Sequence, residues 1–193
     1  MRTIVISFVV AVLLAPSAWA QGEPKERSSG GKQGSAGTTT NPSPSSGGTG
    51  RYYVGDVAPD FELPSSRDRP VMLSRQRGDW LLLVFVRDRN DFVKIRTIHD
   101  DCQALGVRIF GLCRDNPQGL RTVAQRDSIP FEMLADPTGE ISAMYGLYDS
   151  MHRTSIPGCL VLDRRGIVRL AVSGVELPAT EMLELARLTI MAQ

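Results

Sequence analysis

Three cysteines and two histidines are the side chains of this sequence most readily suited to chemistry. His99 and His152 stand far apart and lack paired acidic neighbours, so we interpret them as a solvated helix residue and a loop residue rather than metal ligands. Cys102, Cys113 and Cys159 are odd in number, which leaves at least one thiol unpaired within a monomer. The sequence therefore predicts no metal site and no cofactor, and a free thiol is its simplest nucleophile.

A dense group of charged side chains follows the apolar run of residues 81–86. A mutually neutralised, solvent-facing surface is the favoured interpretation of this group. The alternative is a polar pocket for a small anion or a partner, with Lys94 and the N–H groups of a helix N-terminus as donors. The charged residues are Arg87, Asp88, Arg89, Asp91, Lys94 and Arg96.

Two nearly continuous apolar runs, residues 80–86 and 107–113, predict strands that position these groups. Such runs are typical of strands that are buried on both faces. Cys113 ends the second strand, on the side where α/β folds place their functional sites.

A helix is predicted between the two strands. Asn90 or Asp91 would cap its N-terminus, and Gly106 would end it. Its apolar residues recur at helical spacing and are Ile95, Ile98, Cys102 and Leu105. Cys102 is therefore interpreted as a packed core thiol.

Strands and helices alternate along the rest of the chain, which predicts an α/β sandwich with a central mixed sheet flanked by helices. One helix starts at Asn116-Pro117 and extends to about residue 125, and the last helix starts at Pro178. The other predicted segments are strands at 71–73 and 131–134, a turn at 136–139, a helix at 141–145, a hairpin of strands 159–162 and 167–172, and a last-helix face of Met182, Leu185, Leu188 and Met191.

Six short motifs occur in order from Val54 towards the end of the chain. They are VGDVAPDFELP (54–64), GDWLLLVF (78–85), GVRIFGLCRD (106–115), PFEMLADPTG (130–139), YG (145–146) and LDRRGIVR (162–169). Together they resemble the peroxiredoxin family, of the alkyl hydroperoxide reductase and thiol-specific antioxidant type. The resemblance implies a thioredoxin-like fold and a family-level role in thiol-dependent antioxidant and oxidoreductase chemistry.

The chain departs from this family at the active-site loop. In the family, a proline, a threonine four residues later and the peroxidatic cysteine three residues beyond that form the loop. The corresponding positions hold Arg87, Asp91 and Lys94, and the position of a second active-site arginine holds Pro157. Peroxide cannot oxidise an amine to a sulfenic acid, so we expect the standard peroxidase activity to be absent.

Pro157 is also similar to the proline, usually cis, beside the redox site of thioredoxins. The Cys-x-x-Cys of thioredoxins would fall at Asn90 and Val93, and neither is a cysteine. Arg153 is near enough in sequence to stand in for the missing arginine. The loop thus offers neither of the two thiol routes of this fold.

Cys113 and Cys159 remain as alternative thiols. A disulfide between them is the other interpretation, although the central strand should separate their Cα atoms by more than about 7 Å. Whether the chain is an enzyme therefore stays open. It is either an oxidoreductase that uses one of these thiols or a non-catalytic thioredoxin-fold module that binds a protein partner or a small anion.

The N-terminus predicts export. Arg2, the apolar run of residues 4–15 and the Ala-Trp-Ala motif at residues 18–20 form a signal peptide over residues 1–20. The run is shorter than the roughly 20 residues of a spanning helix, so an uncleaved anchor is the less favoured alternative. We expect a periplasmic or extracellular protein without a stable membrane span after cleavage.

Residues 21–50 are rich in Gly, Ser, Pro and Thr and predict a disordered linker before a folded domain at 51–193. The net charge of +1 gives no reason to expect a nucleic-acid partner. The partner is therefore unknown from the sequence, and the two candidates are another protein and a thiol reductant.

Overall fold

The computed structural model describes residues 53–192. In chain order its elements are β1 (Glu62–Pro64), β2 (Pro70–Met72), β3 (Trp80–Val86), α1 (Phe92–Ile95), α2 (His99–Ala104), β4 (Val107–Cys113), α3 (Pro117–Arg126), β5 (Glu132–Ala135), α4 (Glu140–Met144), β6 (Tyr148–Asp149), β7 (Thr154–Ser155), β8 (Gly158–Leu162), β9 (Val168–Ser173) and α5 (Ala179–Met191). Short 3-10 segments lie at Leu73–Gln76, Arg89–Asp91 and Arg96–Ile98.

A mixed five-stranded sheet in the order β5-β4-β3-β8-β9 forms the centre of the structure. β3 pairs in parallel with β4 and antiparallel with β8, so both of its edges are bonded. The two long strands β3 and β4 have the bounds that their apolar runs predict, since a strand buried on both faces tolerates few polar residues. The predicted α/β sandwich with a mixed sheet is confirmed.

Successive residues of β3 enter two different cores, because side chains alternate across a strand. Leu82 and Val84 are fully buried in the core that contains α1, α2 and the inner face of α5. Leu83 and Phe85 are buried in the second core, beside β1 and α4. The sheet is therefore covered on both faces, and its strand ends are where polar groups can gather.

The segment after β3 is a broken helix rather than the continuous one expected. Asp88, not Asn90 or Asp91, caps it: the Asp88 backbone is extended, and its carboxylate accepts the Asn90 N–H. The Thr97 hydroxyl donates to the Lys94 carbonyl at 2.8 Å. Such a side-chain bond competes with the regular helical ladder, in agreement with the 3-10 turn at this point.

The apolar face predicted for the last helix is wrong. Met182 is buried as expected, but Leu188 and Met191 are 62% and 75% exposed. The four residues of that prediction are three positions apart, and a spacing of three drifts around a helix of 3.6 residues per turn. The buried side instead contains Leu183 and Ala186 beside Met182.

The other elements agree with the sequence to within about two residues at their ends. Asn116 caps α3, and its side chain accepts the Gly119 N–H at 2.8 Å. Gly106 ends α2 with a φ of 72°. The strand predicted at 71–73 is β2, which begins at Pro70, and Leu73 already belongs to a 3-10 turn.

Within residues 53–192 all peptide bonds are trans, including the one before Pro157. In that same part of the chain, no helix is long and apolar enough to cross a bilayer. The predicted signal peptide at 1–20 and linker at 21–50 lie outside the described residues.

Candidate functional site

The positions that the sequence singles out gather at one end of the sheet. Arg87 directly follows β3, and Asp91 and Lys94 lie on the broken helix that β3 enters. Pro157 precedes β8. Gly158, the first residue of β8, pairs with Phe85 near the end of β3. The antiparallel pairing of β3 with β8 therefore brings these four positions to the same end of the sheet, which we call the Lys94 edge.

At the Lys94 edge, the Lys94 side chain is held by two charged hydrogen bonds. Its Nζ donates to Asp91 Oδ1 and to Glu176 Oε1, each at 2.9 Å. These hydrogen bonds hold the pKa of the Lys94 ammonium above its usual value, and the bond to Glu176 has the larger effect. The amine is therefore a cation that two carboxylates already neutralise.

Glu176 is the member of the site that sequence reasoning missed. It lies 82 positions after Lys94, in the loop between β9 and α5. The Gly174 N–H donates to the Pro157 carbonyl at 3.0 Å, which ties the start of this loop to the sheet edge. Hairpin pairing of β8 with β9 is the signal that could have placed residues 174–178 there.

A groove of about 320 Å³ lies beneath the three charged groups. Asp91, Lys94 and Glu176 line it, and its apolar lining comes from the end of β3, the broken helix and the start of α5. The apolar lining residues are Val86, Ile95, Leu177, Pro178, Ala179 and Met182. This arrangement can hold an apolar side chain of a partner beside a charged cluster.

Most of the remaining charges of the loop also have partners. Arg89 pairs with Asp115 at 2.7 Å, and Arg96 donates to the Asp127 carbonyl. Arg87 is exposed and has no hydrogen bond or ion pair with any described residue. The loop is thus largely neutralised, and Arg87 is its uncompensated cation within residues 53–192.

The three cysteines are buried and unpaired. Burial, followed by the Asp115 carboxylate, raises the pKa of the Cys113 thiol to about 12. Burial raises the pKa of Cys159 to about 11, and burial with a smaller effect of Asp101 does the same for Cys102. The Cys113 thiol is therefore almost entirely protonated at pH 7.

Cys113 and Cys159 face the same core from opposite sides of β3. Cys113 lies opposite Val86 on β4, and Cys159 lies opposite Val84 on β8. Two strand spacings of about 4.8 Å, together with the offset of two residues along β3, place their backbones more than about 10 Å apart, beyond the reach of a disulfide. The central strand lies between them, as predicted.

The other chemical candidates, Arg153, His152 and His99, have local contacts, and His99 is half-buried. Arg153 has a positive φ of 50° in the turn between β6 and β7, and its carbonyl accepts a bond from Arg114. His152 contacts Asp149 at 2.6 Å, and His99 contacts Asp100 at 3.0 Å. Among residues 53–192, no three His, Cys, Asp or Glu side chains form a group that could hold a metal ion.

Comparison with known proteins gives one consistent family. A model of the AhpC/TSA family matches residues 54–171. Peroxiredoxin 2 of Thermoplasma acidophilum is 32% identical over 130 residues, which cover 60% of this chain and 64% of that protein. Peroxiredoxin Bcp of Escherichia coli is 26% identical over 118 residues, covering 53% of this chain and 76% of that protein. The chain thus spans slightly less than two thirds of the length of the first of these relatives.

Solved structures show the same fold. The crystal structure of peroxidoxin BcpB from Mycobacterium tuberculosis matches with a TM-score of 0.64 at 20% identity, over 72% of this chain and 96% of that one. Enterococcus faecalis AhpC matches with a TM-score of 0.66 at 15% identity, over 72% of this chain and 93% of that one. The thioredoxin-like assignment of the fold is confirmed.

Proposed function

The chain belongs to the AhpC/TSA family, and from this membership we propose that it is an exported peroxiredoxin-fold protein that does not reduce peroxides by the family's standard thiol route. The family supports a role in thiol-dependent antioxidant chemistry. We propose that, without a thiol at position 94, the domain serves such a role as a binding module at this end of the sheet and not as the peroxidase.

The observation that carries this proposal is the environment of Lys94. A peroxidatic thiolate needs a positive environment that lowers its pKa. Here the corresponding position bears an amine, and carboxylates of Asp91 and Glu176 surround it. Both the nucleophile and the electrostatics that would activate it are absent from this position.

The buried cysteines support the same conclusion. A thiol that reduces peroxide must be accessible and partly ionised. Cys113 and Cys159 are 3% and 1% exposed, and their pKa values lie near 12 and 11. Neither meets those two requirements in the folded protein.

Steady-state peroxide consumption tests the proposal. The full chain is mixed with hydrogen peroxide and dithiothreitol, and the rate is compared with that of the reductant alone. We expect equal rates. Protein-dependent turnover that disappears in Cys113→Ser or Cys159→Ser would instead establish an unorthodox thiol site. Both variants must show the unfolding midpoint of a folded protein for the comparison to hold.

The groove beside Lys94 favours a protein partner over a small anion. The Lys94 ammonium already donates hydrogen bonds to two carboxylates, so a free anion would have to displace them. The apolar groove walls at Leu177 and Met182 instead suit an apolar side chain.

Binding variants separate these two ligands. Capture of a partner should be lost in Leu177→Glu and retained in Leu188→Glu, which places the same charge on an exposed part of α5. Inorganic phosphate should leave the thermal midpoint unchanged in both wild type and Lys94→Ala. A phosphate-dependent rise that Lys94→Ala abolishes would favour the anion and contradict the partner.

Export rests on the N-terminal apolar run and the small-residue motif at residues 18–20. Expression of the full chain in a bacterial host, followed by fractionation and N-terminal sequencing, tests it. We expect a mature protein outside the cytoplasm that begins at Gln21. Full-length protein confined to the cytoplasm would contradict export.

A further inference from the structure

A second polar region lies at the opposite end of β3 from Lys94. Residues 75–79 precede β3, and the hairpin turn at 163–166 joins β8 to β9. The Gly78 N–H donates to the Arg164 carbonyl at 2.8 Å, so the two loops are adjacent. We call the surface formed by residues 75–79 and 163–166 the basic pole.

Three guanidinium groups of the basic pole lack acidic partners. Arg75, Arg77 and Arg164 are exposed, and none has an ion pair or a side-chain hydrogen bond with a described residue. The whole chain has a net charge of only +1, so this is a local concentration of positive charge. Such a concentration attracts anionic partners.

The nearby acidic side chains cancel only part of this charge. Asp79 pairs with Arg108 at 3.1 Å. Asp163 accepts two bonds from Arg169, at 2.9 and 2.8 Å. These two carboxylates are therefore matched by arginines other than the three free ones. Asp60, which lines a cavity with Arg77, accepts backbone N–H groups instead, and its single charge leaves an excess of positive charge.

Exposed apolar side chains lie against the same hairpin. Tyr53, Val54 and Val57 are 68%, 63% and 61% exposed. Val57 forms a β-bridge with Ile167, and the Ala58 N–H donates to the Gly166 carbonyl at 2.9 Å. Val54 and Val57 thus border the arginine cluster, whereas Tyr53 lines a cavity with Ser173 and Gly174 at the other end of β9.

Trp80 adds a further amphipathic group. It is half-buried at the start of β3 and lines a shallow cavity of about 240 Å³ with Asp163, Arg164 and Arg165. Tryptophan and tyrosine are the residues that favour the interface between lipid headgroups and water.

We propose that the basic pole docks on the surface of an anionic lipid bilayer. The arginines would contact lipid phosphates, while Val54, Val57 and the Trp80 ring enter the headgroup layer. Exposed aliphatic residues beside cations are typical of peripheral membrane contact. A soluble polyanion or a nucleic acid would use the arginines but would gain little from the two valines.

This surface is independent of the function proposed for the Lys94 edge. β3 has seven residues, which separate the two ends of the sheet by about 20 Å. Loss of one surface should therefore leave the other intact.

Vesicle sedimentation tests the docking. The full chain is mixed with phosphatidylcholine vesicles, or with vesicles of about three parts phosphatidylcholine to one part phosphatidylglycerol. The measured quantity is the excess binding to the anionic vesicles, since the apolar run at residues 4–15 would bind both kinds. We expect an excess that decreases as salt is added.

Variants then assign the excess to the basic pole. Each of Arg75→Gln, Arg77→Gln and Arg164→Gln should weaken it by about fivefold, and the triple variant by about a hundredfold. Val57→Ser should weaken it as well. Arg87→Gln is the matched control, because it removes an exposed, unpaired arginine at the other end of β3, and it should leave the excess nearly unchanged.

Three outcomes would overturn the proposal: no excess binding by wild type, an excess that the triple variant retains, or equal loss in Arg87→Gln. Binding of wild type to soluble polyphosphate but not to anionic vesicles would reassign the surface to a soluble polyanion. The unfolding midpoint of each variant confirms that the compared proteins are folded.

Discussion

Lys94 Nζ and Glu176 Oε1 lie 2.9 Å apart and join two segments that are 82 positions apart in the chain. In the resemblance to peroxiredoxins, Lys94 takes the place of the reactive thiol. The bond to Glu176 therefore connects the loop after β9 to this position.

Glu176→Gln tests whether this ion pair orders the loop at residues 174–178. We expect faster backbone hydrogen exchange in that loop and only a slight decrease of the unfolding midpoint, because both side chains are well exposed. Added salt should reduce the difference from wild type. Glu62→Gln changes an exposed glutamate on β1 and serves as the control. Unchanged exchange in Glu176→Gln would show that the ion pair does not order the loop.

Lys94→Cys tests the electrostatics of the site directly. Carboxylates of Asp91 and Glu176 should raise the pKa of the new thiol above its usual value. The pH dependence of alkylation by iodoacetamide, followed at this cysteine by mass spectrometry, gives that pKa. Adding Asp91→Thr and Glu176→Gln should shift the alkylation midpoint to lower pH. A single variant that is alkylated with a midpoint below about pH 8 would contradict the argument.

The buried thiols predict a loss of stability at alkaline pH. Each has a pKa that burial raises from its ordinary value of 9.0, so the unfolded chain releases these protons first as the pH rises. Their contribution is complete below pH 9 and is lost as the pH rises through 11 to 12. Urea unfolding across this range should show the decrease.

Cys113→Ala provides the comparison for that titration. The variant should be less stable at pH 7, because it leaves a small cavity, but its free energy of unfolding should decrease less steeply above pH 9. Equal slopes in wild type and variant would show that the Cys113 thiol does not have a raised pKa.

Gly111→Ala tests how the broken helix is held on the sheet. A Cβ atom at this position of β4 would overlap the Phe92 ring, which is fully buried at the start of α1. We expect a loss of about 1–3 kcal/mol in the free energy of unfolding. In a Phe92→Leu background the same change should cost less, because the overlapping ring atoms are gone. A cost that is equal in both backgrounds would exclude this overlap as the cause.

The sequence predicts the strands of this fold better than its helical details. Trp80–Val86 and Val107–Cys113 are predicted to the residue, because long apolar runs between polar residues allow one placement. The exposed Leu188 and Met191 show the weaker case, since a spacing of three residues gives no fixed helix face.

The candidate site likewise has a part that the sequence predicts and a part that it does not. Strand order alone accounts for the meeting of four positions at the Lys94 edge: Arg87, Asp91, Lys94 and Pro157. Glu176 could not be assigned from the sequence, because an exposed loop glutamate has no pattern that selects its partner. The burial of Cys113 and Cys159 likewise depends on how α1, α2 and α5 cover the sheet.

The most direct test of the central claim is a single exposure of the native full chain to hydrogen peroxide in the presence of dimedone, which traps cysteine sulfenic acids. This measurement does not depend on the identity of any reductant. Mass spectrometry of the peptides should show Cys102, Cys113 and Cys159 without a dimedone adduct, because buried, protonated thiols do not react with peroxide. A stoichiometric adduct on any one of them in the folded protein would contradict the claim that this domain has lost peroxiredoxin chemistry.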